Sequence, residues 1–180
     1  MTTTQTAKTY AIDPAHTTAE FIVRHLMISK VRGRFTSVTG TINVPEGSTV
    51  PVSIDVTIDA ASIDTREEQR DAHLKSADFL EAEKFGTITF KSTGFDGSGD
   101  AFKVRGDLTI HGVTREVVLD TTFEGRTTDP WGNDRIGYEA HTKISRKDHG
   151  LGWNQALETG GVLVGDDVKI ELNVEAIAQK

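Results

Sequence analysis

The sequence predicts an all-β protein, an eight-stranded antiparallel up-and-down β-barrel interrupted by one short helical excursion at about residues 65–84. Three observations lead there. Apolar side chains recur at every second position through most of the 180 residues, the period of a half-buried strand. The segments are joined by hairpin-length connections rich in Gly, Asn, Asp and Pro. Helix signals are confined to one stretch. A meander of this kind must close or be covered, because free edges invite association. Closure at eight strands gives an interior that side chains fill or that holds one small ligand.

The strands can be taken in order. Residues 1–9 are polar and Thr-rich and are expected to be disordered, with the domain spanning residues 10–180. In Thr17–Ile28, Ala19, Phe21, Val23, His25 and Met27 share one parity, yet Ile22, Leu26 and Ile28 are apolar too. In Gly33–Val44, Phe35 lies on one parity and Val38, Ile42 and Val44 on the other, which predicts a bulge near Ser37 or Gly40. Thr49–Asp59 alternates throughout, with Val50, Val52, Ile54, Val56 and Ile58 inward and Pro51 on the polar side. Thr65-Arg66-Glu67-Glu68 reads as a capping box opening a helix to about Ser76, and Ser76-Ala77-Asp78 as the cap of a second turn to Lys84.

Thr87–Phe95 returns to strand and turns at Asp96-Gly97-Ser98-Gly99 into the clearest hairpin of the chain, Phe102–Glu124. A two-residue His111-Gly112 loop would pair Ile110 with Val113, and a four-residue loop would pair it with Arg115. Either register puts Val117, Leu119 and Phe123 on the face of Leu108. The same parity turns Arg115 inward near the turn, where a guanidinium must reach solvent or an anion. Strands at Arg135–Ser145 and Val168–Ala176 follow, separated by a Gly-rich connection, a short apolar Val162–Val164 and a turn at Gly165-Asp166-Asp167.

Composition narrows the function. A formal charge of −7 repels nucleic-acid backbones and anionic lipid surfaces. With no cysteine, disulfides, thiol nucleophiles and thiolate metal sites are excluded. The amino terminus has no secretory apolar core and no later segment has the length of a membrane span, so a cytoplasmic location is expected. Outward positions are Lys, Arg, Asp, Glu and Thr, unlike a porin. A hollow apolar barrel in such a protein would shield a lipid-like molecule from water. Motifs for a nucleophile elbow, a zinc helix, a phosphate loop and a dinucleotide turn are missing, and no enzyme is expected.

Several stretches together resemble the YceI-like, polyisoprenoid-binding family over Tyr10 to Ile177. They are Tyr10-Ala-Ile-Asp-Pro-Ala-His16 with Phe21 to His25, Gly33-Arg-Phe-Thr-Ser-Val-Thr-Gly40, and Arg70-Asp-Ala-His-Leu74 with Phe79. Gly106-Asp-Leu-Thr-Ile-His-Gly-Val-Thr114 and Ser145-Arg-Lys-Asp-His-Gly-Leu151 complete the set. The resemblance implies a lipocalin-like barrel whose pore holds a polyisoprenoid, an isoprenoid quinone or a similar lipid, for transport or storage without catalysis. Relatives are often dimeric, so a homodimer is the implied assembly. Many carry an export leader that this sequence lacks, and His149 stands where an aromatic is usual.

Parity and resemblance together nominate the ligand wall. Phe21, Val23, Phe35, Val56, Ile58, Phe79 and Phe90 come from the first half of the chain, and Leu108, Ile110, Val117, Leu119 and Ile144 from the second. His25 and Arg115 are the polar groups expected near a head group. Phe79, Leu80 and Phe85 would plug or cover one end, and Trp131 and Trp153 sit in loops where an aromatic can close a barrel. No metal or other cofactor is expected: Asp71 and His73 diverge on a helix, and a lone buried histidine is usually a hydrogen-bonded core residue. Arg70 with Asp71, and Arg146 with Asp148, are expected to pin the excursion and the Gly-rich connection. The alternatives are a haem, tetrapyrrole or redox carrier using an inward histidine, and a solid-core protein-interaction module.

Overall fold

In the computed structural model, which describes residues 6–157 and 161–180, eleven strand segments form one sheet that closes on itself as an eight-stranded antiparallel barrel. The first hairpin explains the excess of segments. β1 (Ala7–Ile12) and β2 (Thr18–His25) are two halves of one barrel strand, separated by a single 3-10 turn, Pro14–His16. The Asp13 carboxylate caps that turn by accepting from the Ala15 N–H. Both halves pair with the last strand, β11 (Val164–Ala178). β3 (Ser29–Phe35) and β4 (Val38–Pro45) are likewise halves of the returning strand, broken at Thr36–Ser37 where a bulge had been expected. A full break replaces the bulge because β4 turns to β5 (Ser53–Asp59) while β3 keeps only two pairs with β6 (Ile63–Asp64).

The remaining strands run as a meander: β7 (Thr87–Asp96), β8 (Ala101–Ile110), β9 (Val113–Thr128) and β10 (Asp134–Ser145). Between β8 and β9 the turn is the two-residue alternative: Ile110 pairs with Val113, and His111 and Gly112 have φ of 55° and 70°. Leu108 then faces Arg115, Gly106 faces Val117 and Val104 faces Leu119, so Leu108, Val117 and Leu119 turn inward together. Gly106 is required by close approach, since the Phe90 ring lies where its Cβ would be.

Four local expectations are corrected. Residues 7–9 are strand rather than disordered, because Ala7, Lys8 and Thr9 pair with Pro45, Val44 and Asn43; residues 1–5 lie outside the described residues. Around Pro51 the alternation breaks: Pro51 is buried and Val52 is 56% exposed. Proline brings no N–H to a ladder, and Ser48 turns the chain by bonding Val50, so β5 starts only at Ser53. The helix α1 (Glu68–Lys75) is capped by Glu67, whose carboxylate accepts from Gln69 and Arg70, not by Thr65. Thr65 is buried and its hydroxyl is taken by Asp71, while residues 76–85 form turns without a second helix. Finally, Gly165-Asp166-Asp167 is no turn but an irregularity within β11, which lets one strand serve β10 along one edge and β2 then β1 along the other.

The two ends differ. At the end carrying the β4–β5, β7–β8 and β9–β10 connections, Tyr10, Val44, Ile136 and Ala176 are fully buried and the interior is solid. Tyr138 closes it, donating its hydroxyl to the Thr49 carbonyl at 2.7 Å and meeting Phe102 and Phe123 edge-on. Burial raises the Tyr138 phenol above its usual range. Outside this end, Arg135 joins Asp129 at 2.7 Å and Asp13 at 2.8 Å, tying the β9–β10 loop to the first turn. The other end carries the β2–β3 tip, the β8–β9 turn, the α1 excursion and the Gly-rich connection.

Candidate ligand-binding cavity

Above the Tyr138 floor the barrel is hollow. A cavity of about 400 Å³ runs towards the far end, within the roughly 300–1,000 Å³ of small-molecule sites. The walls follow from strand parity: alternate residues along the middle of β5, β8, β9, β10 and β11 project into it. Ile54, Val56 and Ile58 show why this is a chamber and not a core. They face inward on an unbroken ladder yet stay only half-buried, because nothing stands opposite them.

The α1 excursion completes the wall where β3 and β4 part. Leu74, Phe79 and Leu80 enter the cavity, and the Phe79 ring packs 5.3 Å from Trp153 and 5.0 Å from His73. Phe85 turns elsewhere and packs on His111 above the β8–β9 turn, so of Phe79, Leu80 and Phe85 only the first two line the end. Thr65 anchors its start: Asp71 accepts from the Thr65 N–H and hydroxyl, and Arg70 donates to the Thr65 hydroxyl at 2.7 Å and carbonyl at 2.7 Å.

Arg146 anchors the Gly-rich connection, though not through Asp148. Only 3% exposed, its guanidinium donates to the carbonyls of Gly165, Leu151, Trp153 and Val164. Burial pulls its pKa down, and the nearby Asp166 carboxylate works against that. One side chain thereby holds Trp153 over the chamber and joins it to β11. Residues 158–160 of this connection lie outside the described residues.

Of the residues nominated from sequence, Phe21, Val23, His25, Phe35, Val56, Ile58 and Phe79 line the cavity, as do Phe90, Leu108, Ile110, Val117, Leu119 and Ile144. Arg115 does not. Its parity is inward, but it lies past the last wall residue of β9, exposed at the rim, where it donates to the Thr114 carbonyl. His149 is also outside the cavity: it is buried with Nδ1 3.0 Å from the Val113 carbonyl, so it packs against the β8–β9 hairpin and not into the chamber. Trp131 closes nothing and stands in solvent. Asp71 turns to Thr65 while His73 Nε2 lies 2.8 Å from Asp78, so these three do not gather as a ligand set.

Sequence reasoning missed most of the polar rim. Arg24, Arg70 and His73 line the cavity beside His25; Glu20 also borders it, but its carboxylate is taken by Arg32 at 3.0 Å. A signal was present, since Arg70, His73 and Leu74 sit at i, i+3 and i+4 and must share one helix face. Asp13, His16 and Glu175 form the other cluster of ligand-type groups among the described residues. It lies on the outer surface and Arg135 is inserted into it, donating to Asp13 at 2.8 Å and Glu175 at 3.5 Å, so a cation of the chain itself already serves these carboxylates.

This geometry has counterparts. A Campylobacter jejuni YceI protein is 32% identical, with 87% of this chain and 90% of that one aligned at a TM-score of 0.76. Burkholderia cenocepacia BcnA, 20% identical, aligns over 92% of this chain and 99% of its own at a TM-score of 0.78 and shares the fold. A polyisoprenoid binding domain from Saccharophagus degradans shares it too, 15% identical, over 94% and 98% of the two chains at a TM-score of 0.71. In sequence, a UPF0312 protein of Staphylococcus aureus is 42% identical over 171 residues, 92% of this chain and 95% of that protein. A YceI-like domain matches residues 10–176, and the chain belongs to the YceI-like family.

Proposed function

We propose that this protein binds a long apolar or amphiphilic molecule, a polyisoprenoid or the tail of an isoprenoid quinone, and moves or stores it without chemical change. The observation that carries the reading is the chamber: a closed barrel, solid at one end, with apolar wall residues left half-buried around about 400 Å³ of space. Such a wall stabilises a guest by about 25 cal/mol per Å² of apolar surface removed from water. Fold kinship with a domain described as polyisoprenoid binding supports the same class of guest. The polar rim of Arg24, His25, Arg70 and His73 suits a polar or anionic head group at the open end while the chain lies inward. In this reading Phe21, Val56, Phe90, Leu108 and Leu119 contact the chain. Among the described residues no helix is long and apolar enough to cross a membrane.

Protein purified without detergent and extracted with organic solvent should release one long-chain amphiphile per chain by mass spectrometry. Repeatedly empty extracts, together with failure to take up a fluorescent polyprenyl probe, would sink the proposal. A tetrapyrrole is the second reading, favoured by the position of His25 in the wall. Haem titration producing a Soret band that His25→Ala abolishes would select it.

A further inference from the structure

The β2–β3 hairpin ends in three consecutive apolar side chains that face water. Leu26, Met27 and Ile28 are 36%, 53% and 81% exposed. Hairpin tips are normally built from Gly, Asn and Asp, which reach positive φ at the lowest cost. Here Leu26 and Met27 both occupy the left-handed region, at φ of 53° and 63°. The tip is held there: Leu26 N–H donates to the Leu163 carbonyl at 2.9 Å and Ile28 N–H to the His25 carbonyl at 3.2 Å. A turn that only reversed the chain would gain nothing from either the conformation or the exposed surface.

Charge behind the tip is equally unbalanced. Arg24 and Lys30 face each other across the ladder, and both are exposed. Like charges so placed repel. Among the described residues neither has an acidic partner: Asp166 accepts from the Ser145 hydroxyl and the Lys147 N–H, and Asp167 faces Lys143. Arg32 and Arg34 farther down are paired with Glu20, Glu171 and Asp64. Cations on a free strand edge do deter unwanted pairing, which accounts for the lower pair but not for an apolar apex. The net charge of −7 repels an anionic surface taken as a whole, but within a Debye length of the tip the unpaired basic couple under an apolar wedge is complementary to an anionic, apolar partner.

The hairpin is also the mouth of the cavity, since Val23, Arg24, His25 and Val31 line it together with Leu163 and Val164. We infer that the β2–β3 tip is a docking element for an anionic lipid bilayer. Leu26, Met27 and Ile28 enter the acyl region, Arg24 and Lys30 meet head-group phosphates, and the open end of the chamber is thereby set against the membrane. A second copy of the chain is a poorer occupant, because three side chains on a convex apex offer far less than the roughly 800 Å² per partner of a stable dimer. The inference goes beyond the carrier reading, and its test needs no cargo.

The purified full chain is sedimented with vesicles of phosphatidylcholine alone or mixed with phosphatidylglycerol. Wild type should bind the mixed vesicles, less well at high salt and weakly to the neutral ones. Ile28→Asp and Lys30→Glu should each weaken binding by roughly tenfold or more, whereas Trp131→Ala, exposed at the opposite end, should bind as wild type. Thermal melts confirm that the variants fold. Absence of binding to mixed vesicles, or an Ile28→Asp protein that sediments like wild type, would overturn the inference. So would a concentration-dependent dimer that Ile28→Asp dissolves, with no vesicle binding. Lipid extraction is read separately, so an empty chamber that still docks refutes the cargo and not the tip.

Discussion

Filling the chamber from its own wall separates a carrier from a packed module. Ala140 sits midway along β10, between Leu172 of β11 and Thr121 of β9, and its methyl group lines the cavity. Ala140→Phe places a phenyl ring in space otherwise open to a guest. A ring of that size takes the place of about five chain carbons, each worth about 0.8 kcal/mol when buried. The guest then loses about 4 kcal/mol, close to a thousandfold in affinity. Stability responds in the opposite sense to a solid core: in a packed interior the extra atoms would cost about 1–3 kcal/mol, whereas here the ring finds room and buries itself. The assay pairs a thermal melt with uptake of a fluorescent polyprenyl probe. Unchanged or raised Tm with uptake lost is expected. A Tm lowered by about 2–4 °C per kcal/mol of overpacking, with uptake intact, would show that the wall is not where the guest lies.

Three further outcomes follow from the same contacts. Leu119→Asp puts a carboxylate on the inner face opposite Val104 with no partner; it should lower stability by about 3 kcal/mol or more, and an unchanged Tm would refute the inward assignment of β9. Arg146→Met leaves the carbonyls of Gly165, Leu151 and Trp153 without their donor, at about 1–3 kcal/mol for each buried group left unmet, and amide exchange should rise across residues 150–157 and 161–165 while the lower barrel stays protected. Arg135→Met should lower the Tm at neutral pH. Desolvation pushes Asp129 up, but hydrogen bonds from Arg135, Asn133 and Trp131 outweigh it and hold the carboxyl from 3.8 down to about 2; Asp13 is lowered chiefly by Arg135 and then by His16. Groups with lowered folded pKa stabilise above the unfolded value, so the gap between variant and wild type should close as pH falls from about 4 to 2. A gap independent of pH would refute the ionic role of Arg135.

Legibility followed the range of the interaction. Strand parity is a one-residue rule, and it placed Val56, Leu108, Val117, Leu119 and Ile144 on the cavity side because adjacent Cβ atoms must point to opposite faces. Local reading failed where a more distant partner took over: parity at Pro51, the capping box at Thr65 once Asp71 claimed its hydroxyl, and the turn at Gly165–Asp167, which pairing with β10 and β2 holds within β11. Arg115 shows the limit most clearly. Its face was legible, but its height along the barrel axis depends on where β9 ends against the rim.

What residue order alone determined was the class of fold, the inner and outer face of most strands, and membership of a lineage whose motifs are spread from Tyr10 to Leu151. Only the assembled barrel decided that the interior is hollow. Each wall residue is apolar whether or not another side chain meets it from across the barrel, and the space between opposite walls is set by strand tilt, by the break between β3 and β4, and by Arg146 drawing Trp153 over the end.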